Sequence, residues 1–272
     1  MEARHETAGM HSFKASASRT WTLARKNVRL YVKQGPVLIF GLFFPFFMTL
    51  AWMIGRPMPA TQLFVGIVSM TAFFTATAIS PVVLPIETRE KSLEKLLSMP
   101  IRLRELLAAI VIASTLYACI LTGVVFTAMS PVLPGVNLLA LLASIAGILL
   151  LAIAGSLLGL LVSAHPTDMT SNVMVLINLV KFPMIFAGGI FISLPGLPLA
   201  GVVASLFSPV TFLSDLLHLL AHGESFFGIA IDLLGLLAWI VMLSLACMMA
   251  HRKTMIKRFS EGGGKMMMQG KP

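Results

Sequence analysis

Charged residues in this chain are concentrated in one segment, residues 87–105. Between residues 34 and 250 the chain has 15 Asp, Glu, Lys and Arg residues, and nine of them lie in that segment. Acidic and basic side chains in such a mixture can recognise a complementary protein surface and set its orientation. The function that this segment can serve is therefore recognition of another protein's surface.

A short helix is predicted within this segment, over residues 88–99. Its leucines share one face at helical spacing, and a proline ends the helix because the residue before a proline avoids the helical region. The leucine face predicts a buried contact with a soluble partner, and the acidic residues would set the partner's orientation. The alternative is a solvated loop that only enforces topology. The residues predicted to contact the partner are Glu87, Arg89, Glu90, Leu93, Glu94, Leu96, Leu97 and Pro100.

Three residues inside long apolar stretches are candidates for a path through a membrane. Lys181 is the only Lys or Arg in such a stretch, where a cation costs about 2.5–3.5 kcal/mol on insertion scales. It could bind an anionic group, pair with Asp215 or Asp232, or extend to the interface. Thr71 and Thr75 supply hydroxyls that could line a path or pack against neighbouring helices.

No constellation for catalysis, cofactor binding or metal binding is predicted. Cys119 and Cys247 lie in apolar stretches and are interpreted as packing residues. The predicted spans carry no His or Glu pair at metal-ligand spacing. The phosphate-loop pattern G-x-x-x-x-G-K-[ST] does not occur, and residues 262–265 lack its spacing. We therefore expect this chain to be non-enzymatic and unable to hydrolyse ATP.

The elements that must position these residues are membrane helices. Hydrophobic residues make up 57% of the chain and charged residues 11%, whereas soluble domains carry roughly 25% charge. The apolar stretches have the length of helical spans, about 20 residues, and lack the alternation of a membrane barrel. We predict an all-α integral membrane protein with six transmembrane helices, at residues 37–55, 62–86, 106–129, 138–163, 173–192 and 228–250.

Two further segments accompany these spans. Residues 18–33 form an amphipathic pattern with aromatic and basic residues, which predicts a helix lying in the membrane interface. Residues 194–220 are apolar but interrupted by prolines and glycines, so short re-entrant or interfacial helices are expected between the fifth and sixth spans.

The basic residues predict the orientation. Eighteen of the 20 Lys and Arg residues lie before the first span, in residues 87–105 or after the last span. The positive-inside rule therefore places both termini and this segment in the cytoplasm, with the plasma membrane as the expected location. The net charge of +9 is explained by this orientation and by anionic lipid, without a nucleic-acid partner.

The charged segment resembles the cytoplasmic loop after the second span in the type-2 permease family of ATP-binding-cassette (ABC) exporters. The similarity lies in the acidic, basic, acidic pattern, followed by Ser92, Leu-Glu-x-Leu-Leu and Pro100. Residues 21–33 resemble the family's elbow helix, and Pro183, residues 187–189, 195–198 and 209–211 resemble its fifth span and outer loop. At Lys91 the family often has Gly.

The resemblance implies a transmembrane domain over residues 18–255, with an elbow helix at 18–33 and a coupling loop at 87–105. Residues 1–17 and 256–272 would be cytoplasmic tails, the second of them flexible. The implied function is that of a permease subunit, which forms an export path with a second permease subunit and is driven by a separate ATP-binding subunit docked on the loop. A secondary carrier or channel, or a membrane-embedded enzyme, would be the alternatives.

Overall fold

The computed structural model describes residues 2–54, 59–92, 95, 101–191 and 194–269, with side chains described between Ser16 and Thr254 except Pro36 and Leu42. The described residues form helices joined by short loops and contain no strand. The α-helices are α1 (Glu2–Tyr31), α2 (Gly35–Leu38), α3 (Phe44–Met53), α4 (Ala60–Arg89), α5 (Leu103–Met129), α6 (Leu138–Val162), α7 (Thr170–Ala187), α8 (Leu199–Ser205), α9 (Pro209–His222) and α10 (Ile229–Gln269).

Five helices among the described residues are long and apolar enough to cross a membrane. The first predicted span corresponds to a helical run that a π-helical turn, Ile39–Phe43, divides into α2 and α3. This run, residues 35–53, has a length of about 28 Å at the usual helical rise, close to the thickness of the hydrocarbon core. The prediction of an all-α integral membrane protein is confirmed.

Helix α4 is the centre of the bundle and packs against α5, α6, α7 and α9. Nearly all of its residues are buried within the protein, because small and hydroxyl side chains let its neighbours approach closely. The contact with α6 shows this most directly. A Cβ added at Gly155 of α6 would lie 2.7 Å from the Cβ of Ala76 on α4. Gly155 of α6 therefore serves packing within the chain.

The interrupted segment between the last two spans forms two helices at a sharp angle. The axes of α8 and α9 are bent by 107°. Ser208 begins α9 by accepting a hydrogen bond from the backbone N–H of Val210, and Pro209 occupies the first turn, where its missing donor costs little. The expectation of short helices in place of a straight span is confirmed.

Helix α1 begins earlier than the predicted elbow, at Glu2, and packs against α5. Its buried face contains Leu23, Ala24, Asn27 and Tyr31. Trp21, an aromatic residue of the predicted amphipathic helix, points outward and is 56% exposed, which suits an aromatic ring at headgroup depth. At the other end of the chain, α10 continues as a helix to Gln269.

Candidate functional site

Glu87 lies near the C-terminal end of α4, which leads into the charged segment. Its residue is only 2% exposed, so the carboxylate needs hydrogen-bond donors from the protein. Lys26 Nζ of α1 lies 2.6 Å from Glu87 Oε1, and Tyr31 Oη donates to the same oxygen at 2.7 Å. Ser92, in the loop, donates to the other oxygen. One carboxylate thus joins α1, α4 and the loop.

Tyr31 remains a donor in this cluster at physiological pH. Burial raises the pKa of its phenol, and the hydrogen bond to Glu87 raises it further, since ionisation would place a second negative charge beside the carboxylate. The neutral phenol and the ammonium of Lys26 therefore both stabilise the ionised form of Glu87.

Glu105 forms a second cluster where the charged segment ends and α5 begins. It is 5% exposed and accepts hydrogen bonds from Arg19 of α1, at 2.8 Å from Nη2 and 3.3 Å from Nε. Ser16 of α1 also donates to it, and the backbone N–H of Arg102 donates at 3.2 Å, which caps the first turn of α5. The hydrogen bond to Glu105 raises the pKa of the Arg19 guanidinium.

The two clusters fasten both ends of residues 87–105 to one helix. Arg19 and Lys26 are seven residues apart, so they lie on the same side of α1, two turns from each other. Movement of the loop ends therefore requires movement of α1, or loss of two buried carboxylate clusters. Sequence reasoning did not find these pairs, although the acidic residue at each end of the segment and the basic residues of the elbow were the available signal.

The loop that follows α4 contains a residue in the left-handed backbone conformation, Lys91. Helix α4 ends at Arg89, Glu90 forms a turn, and Lys91 has φ +55°. The predicted continuous helix over 88–99 is therefore wrong at its start, because a left-handed residue breaks the helical hydrogen-bond pattern. Lys91 is also the position at which the resembled family often has Gly, the residue that adopts this conformation without strain.

The structure places the predicted partner contacts in different environments. Arg89 and Glu90 are exposed, whereas Glu87 is directed into the protein and bound by α1. A role for Glu87 in setting the partner's orientation would therefore act through α1. Ser92 and Lys95 are helical. The remaining predicted contacts, Leu93, Glu94, Leu96, Leu97 and Pro100, lie outside the described residues.

Lys181 is fully buried between α7 and α4. Its Nζ lies 4.3 Å from the ring centre of Phe74 and 5.7 Å from that of Phe40, and it donates to Thr77 Oγ1 at 3.4 Å. The two ion pairs found among the described residues involve Glu87 and Glu105, so Lys181 is paired with neither Asp215 nor Asp232. Aromatic faces attract cations, so the two rings stabilise the buried ammonium together with the Thr77 hydroxyl.

Thr71 and Thr75 are also buried in α4. The hydroxyl of Thr75 donates to the backbone carbonyl of Thr71 at 2.6 Å. This contact satisfies the hydroxyl within its own helix and favours packing, the alternative considered from the sequence. A role for both threonines in a path remains a prediction.

A central helix surrounded by spanning helices, with an amphipathic helix attached to a charged loop, defines a multi-pass membrane protein. The family model of the ABC-2 type transporter matches residues 11–220, and the chain belongs to this family. No curated protein matches the chain at a significant level. The match includes α1 from residue 11, both carboxylate clusters, α8, and α9 up to residue 220. Membership confirms the resemblance and favours an ABC permease over a secondary carrier, channel or enzyme; it implies an ABC transporter with an ATP-binding partner.

Proposed function

We propose that this chain is the permease subunit of an ABC exporter in the plasma membrane, with both termini and the 87–105 loop in the cytoplasm. It is non-catalytic, and a separate ATP-binding subunit docks on the loop and hydrolyses ATP. A second permease subunit, identical or different, completes the translocation path. The family membership and the basic residues grouped around the loop and the termini support this proposal.

The observation that carries the proposal is the attachment of both loop ends to α1. Glu87 connects α4 to Lys26 and Tyr31, and Glu105 connects α5 to Arg19. A partner that displaces the loop therefore displaces α4, the central helix, together with α1 and α5. A complete switch between two permease states needs about 5.5 kcal/mol of differential binding by the partner.

The docking surface would combine exposed charges with the predicted leucines. Arg89 and Glu90 are exposed on the loop side of the Glu87 cluster, where they can meet complementary charges on the ATP-binding subunit. Leu93, Leu96 and Leu97 would supply the desolvated contact that holds most of the binding free energy, as apolar anchors do in other interfaces.

Co-expression with a candidate ABC ATP-binding subunit from the same organism tests the proposal. We expect the two proteins to purify together and ATPase activity to follow the complex. Leu96→Asp with Leu97→Asp should abolish copurification, and Arg89→Glu should weaken it about tenfold, while membrane insertion is retained. Glu224→Lys, an exposed charge change near the opposite end of α4, is the matched control. Unchanged binding by the double leucine variant would refute docking on the loop.

A further inference from the structure

His218 and His222 lie four residues apart on α9, at the end of the bundle opposite the charged loop. They border a cleft of about 480 Å³ together with Asp215 and Glu224. His222 is exposed and accessible from the cleft. The pair was not predicted from the sequence, because α9 belongs to the interrupted segment and lies outside the predicted spans.

The spacing of the two rings is compatible with two ligands of one tetrahedral ion. Their Nδ1 atoms are in hydrogen-bond contact at 3.4 Å, and their stacked ring centres are 5.4 Å apart. A zinc ion bound at about 2.1 Å from each nitrogen, with a tetrahedral angle between them, requires about 3.4 Å between the nitrogens and about 5.3 Å between the ring centres. Both distances agree with this requirement.

The surroundings also favour a cation at this point. The Oγ1 atom of Thr61, in the first turn of α4, lies 2.9 Å from Nε2 of His222. An outer hydrogen bond of this kind fixes the ring, with Nδ1 directed toward Nδ1 of His218. Asp215 is one turn before His218 and is 3% exposed; its carboxylate accepts backbone hydrogen bonds from Phe226 and Phe227. Its negative charge lowers the electrostatic cost of a cation in the cleft.

We propose that His218 and His222 form a binding site for a divalent transition-metal ion on α9, beside the start of α4, with water as the remaining ligands. The described residues contain no group of three His, Cys, Asp or Glu side chains arranged to hold a metal. Imidazole ligands select Cu²⁺, Ni²⁺ and Zn²⁺ over Mg²⁺ and Ca²⁺, and Cu²⁺ binds most tightly. The site goes beyond the permease function and does not depend on it.

The test is titration of the full chain, purified in detergent without a histidine tag, with Cu²⁺ and then Zn²⁺. We expect one Cu²⁺ per chain above the background of the His218→Ala, His222→Ala double variant, with electron paramagnetic resonance showing coupling to two imidazole nitrogens. His222→Ala should leave one coupled nitrogen and weaken binding at least tenfold. Thr61→Val, which removes only the outer hydrogen bond, should weaken it by a smaller factor.

His165→Ala, an exposed histidine in the loop between α6 and α7, is the matched control and should leave the titration unchanged. Zn²⁺ should also raise the unfolding temperature of the unmodified chain, reversibly with a chelator, whereas Mg²⁺ should not. Because His222 is exposed, its substitution leaves the fold intact and the comparison valid. Equal Cu²⁺ binding by the unmodified chain and His222→Ala, or a spectrum without paired nitrogens, would overturn the proposal.

Discussion

The ammonium of Lys26 lies 2.6 Å from Oε1 of Glu87, although 61 positions separate them in the chain. This ion pair joins the amphipathic helix α1 to the end of the central helix α4. Because Glu87 is buried, its charge depends on Lys26, Tyr31 and Ser92 for compensation. The pair therefore connects the stability of the fold to the position of the loop.

Removing the Lys26 ammonium should destabilise the chain and weaken coupling. We expect Lys26→Met to lower the free energy of unfolding by about 1–3 kcal/mol, because a buried carboxylate loses its cation. Thermal unfolding in detergent measures this change. In the complex, transport per ATP hydrolysed should fall. Arg25→Met, an exposed neighbour on α1, should change neither quantity.

Combining Lys26→Met with Glu87→Gln measures the interaction energy of the ion pair separately from the other contacts of the two residues. The double variant should be less destabilised than the sum of the two single variants, since each single change leaves one charged group without its partner. Additive effects would show that the pair contributes nothing specific.

Glycine at Lys91 should stabilise the loop. A left-handed residue with a side chain costs roughly 1–2 kcal/mol, and Gly removes that strain at a smaller cost in unfolded-state entropy. We expect Lys91→Gly to raise the free energy of unfolding by about 0.5–1 kcal/mol. Lys95→Gly, at a helical position in the same loop, should lower it by a similar amount. Stabilisation by both changes, or by neither, would contradict the left-handed assignment.

The contact between α6 and α4 is too close to accommodate even one added methyl group. Gly155→Ala would place a carbon 2.7 Å from the Cβ of Ala76, so we expect a loss of about 1–3 kcal/mol in unfolding free energy. Gly123 of α5 has nothing within 4 Å of an added Cβ. Gly123→Ala should therefore be neutral or stabilising by about 0.5–1 kcal/mol through helix propensity. Thermal unfolding of both variants compares the two sites.

Substitution at Lys181 should separate stability from transport. Lys181→Met keeps the length of the side chain and removes a buried cation held by aromatic rings and the Thr77 hydroxyl, so we expect unfolding free energy to be unchanged or to rise by about 1 kcal/mol. If Lys181 contacts an anionic substrate, the same variant should lose transport while the complex still hydrolyses ATP. Unchanged transport would remove Lys181 from the path.

The membrane architecture could be predicted because long apolar stretches and prolines act locally. Hydropathy locates the long spanning helices, and the prolines of residues 194–220 explain the bend between α8 and α9. The pairing of Glu87 with Lys26 could not be predicted in this way, because it depends on how α1 lies across the bundle. The left-handed conformation of Lys91 was not predicted, since its charged neighbours resemble a helical pattern, although the Gly that the resembled family often has there was a signal for it.

The distance between Arg19 and Lys26 sets the separation between the two ends of the loop. Seven residues of α1 measure about 10 Å, so the ends of the loop must meet α1 at that separation. One residue inserted between them would lengthen α1 by about 1.5 Å and rotate one contact by about 100°, which would carry it away from its carboxylate. Seven inserted residues would restore the direction but not the spacing. Natural relatives that keep this arrangement should therefore tolerate changes in the loop sequence more readily than changes in the length of α1 between the two contacts.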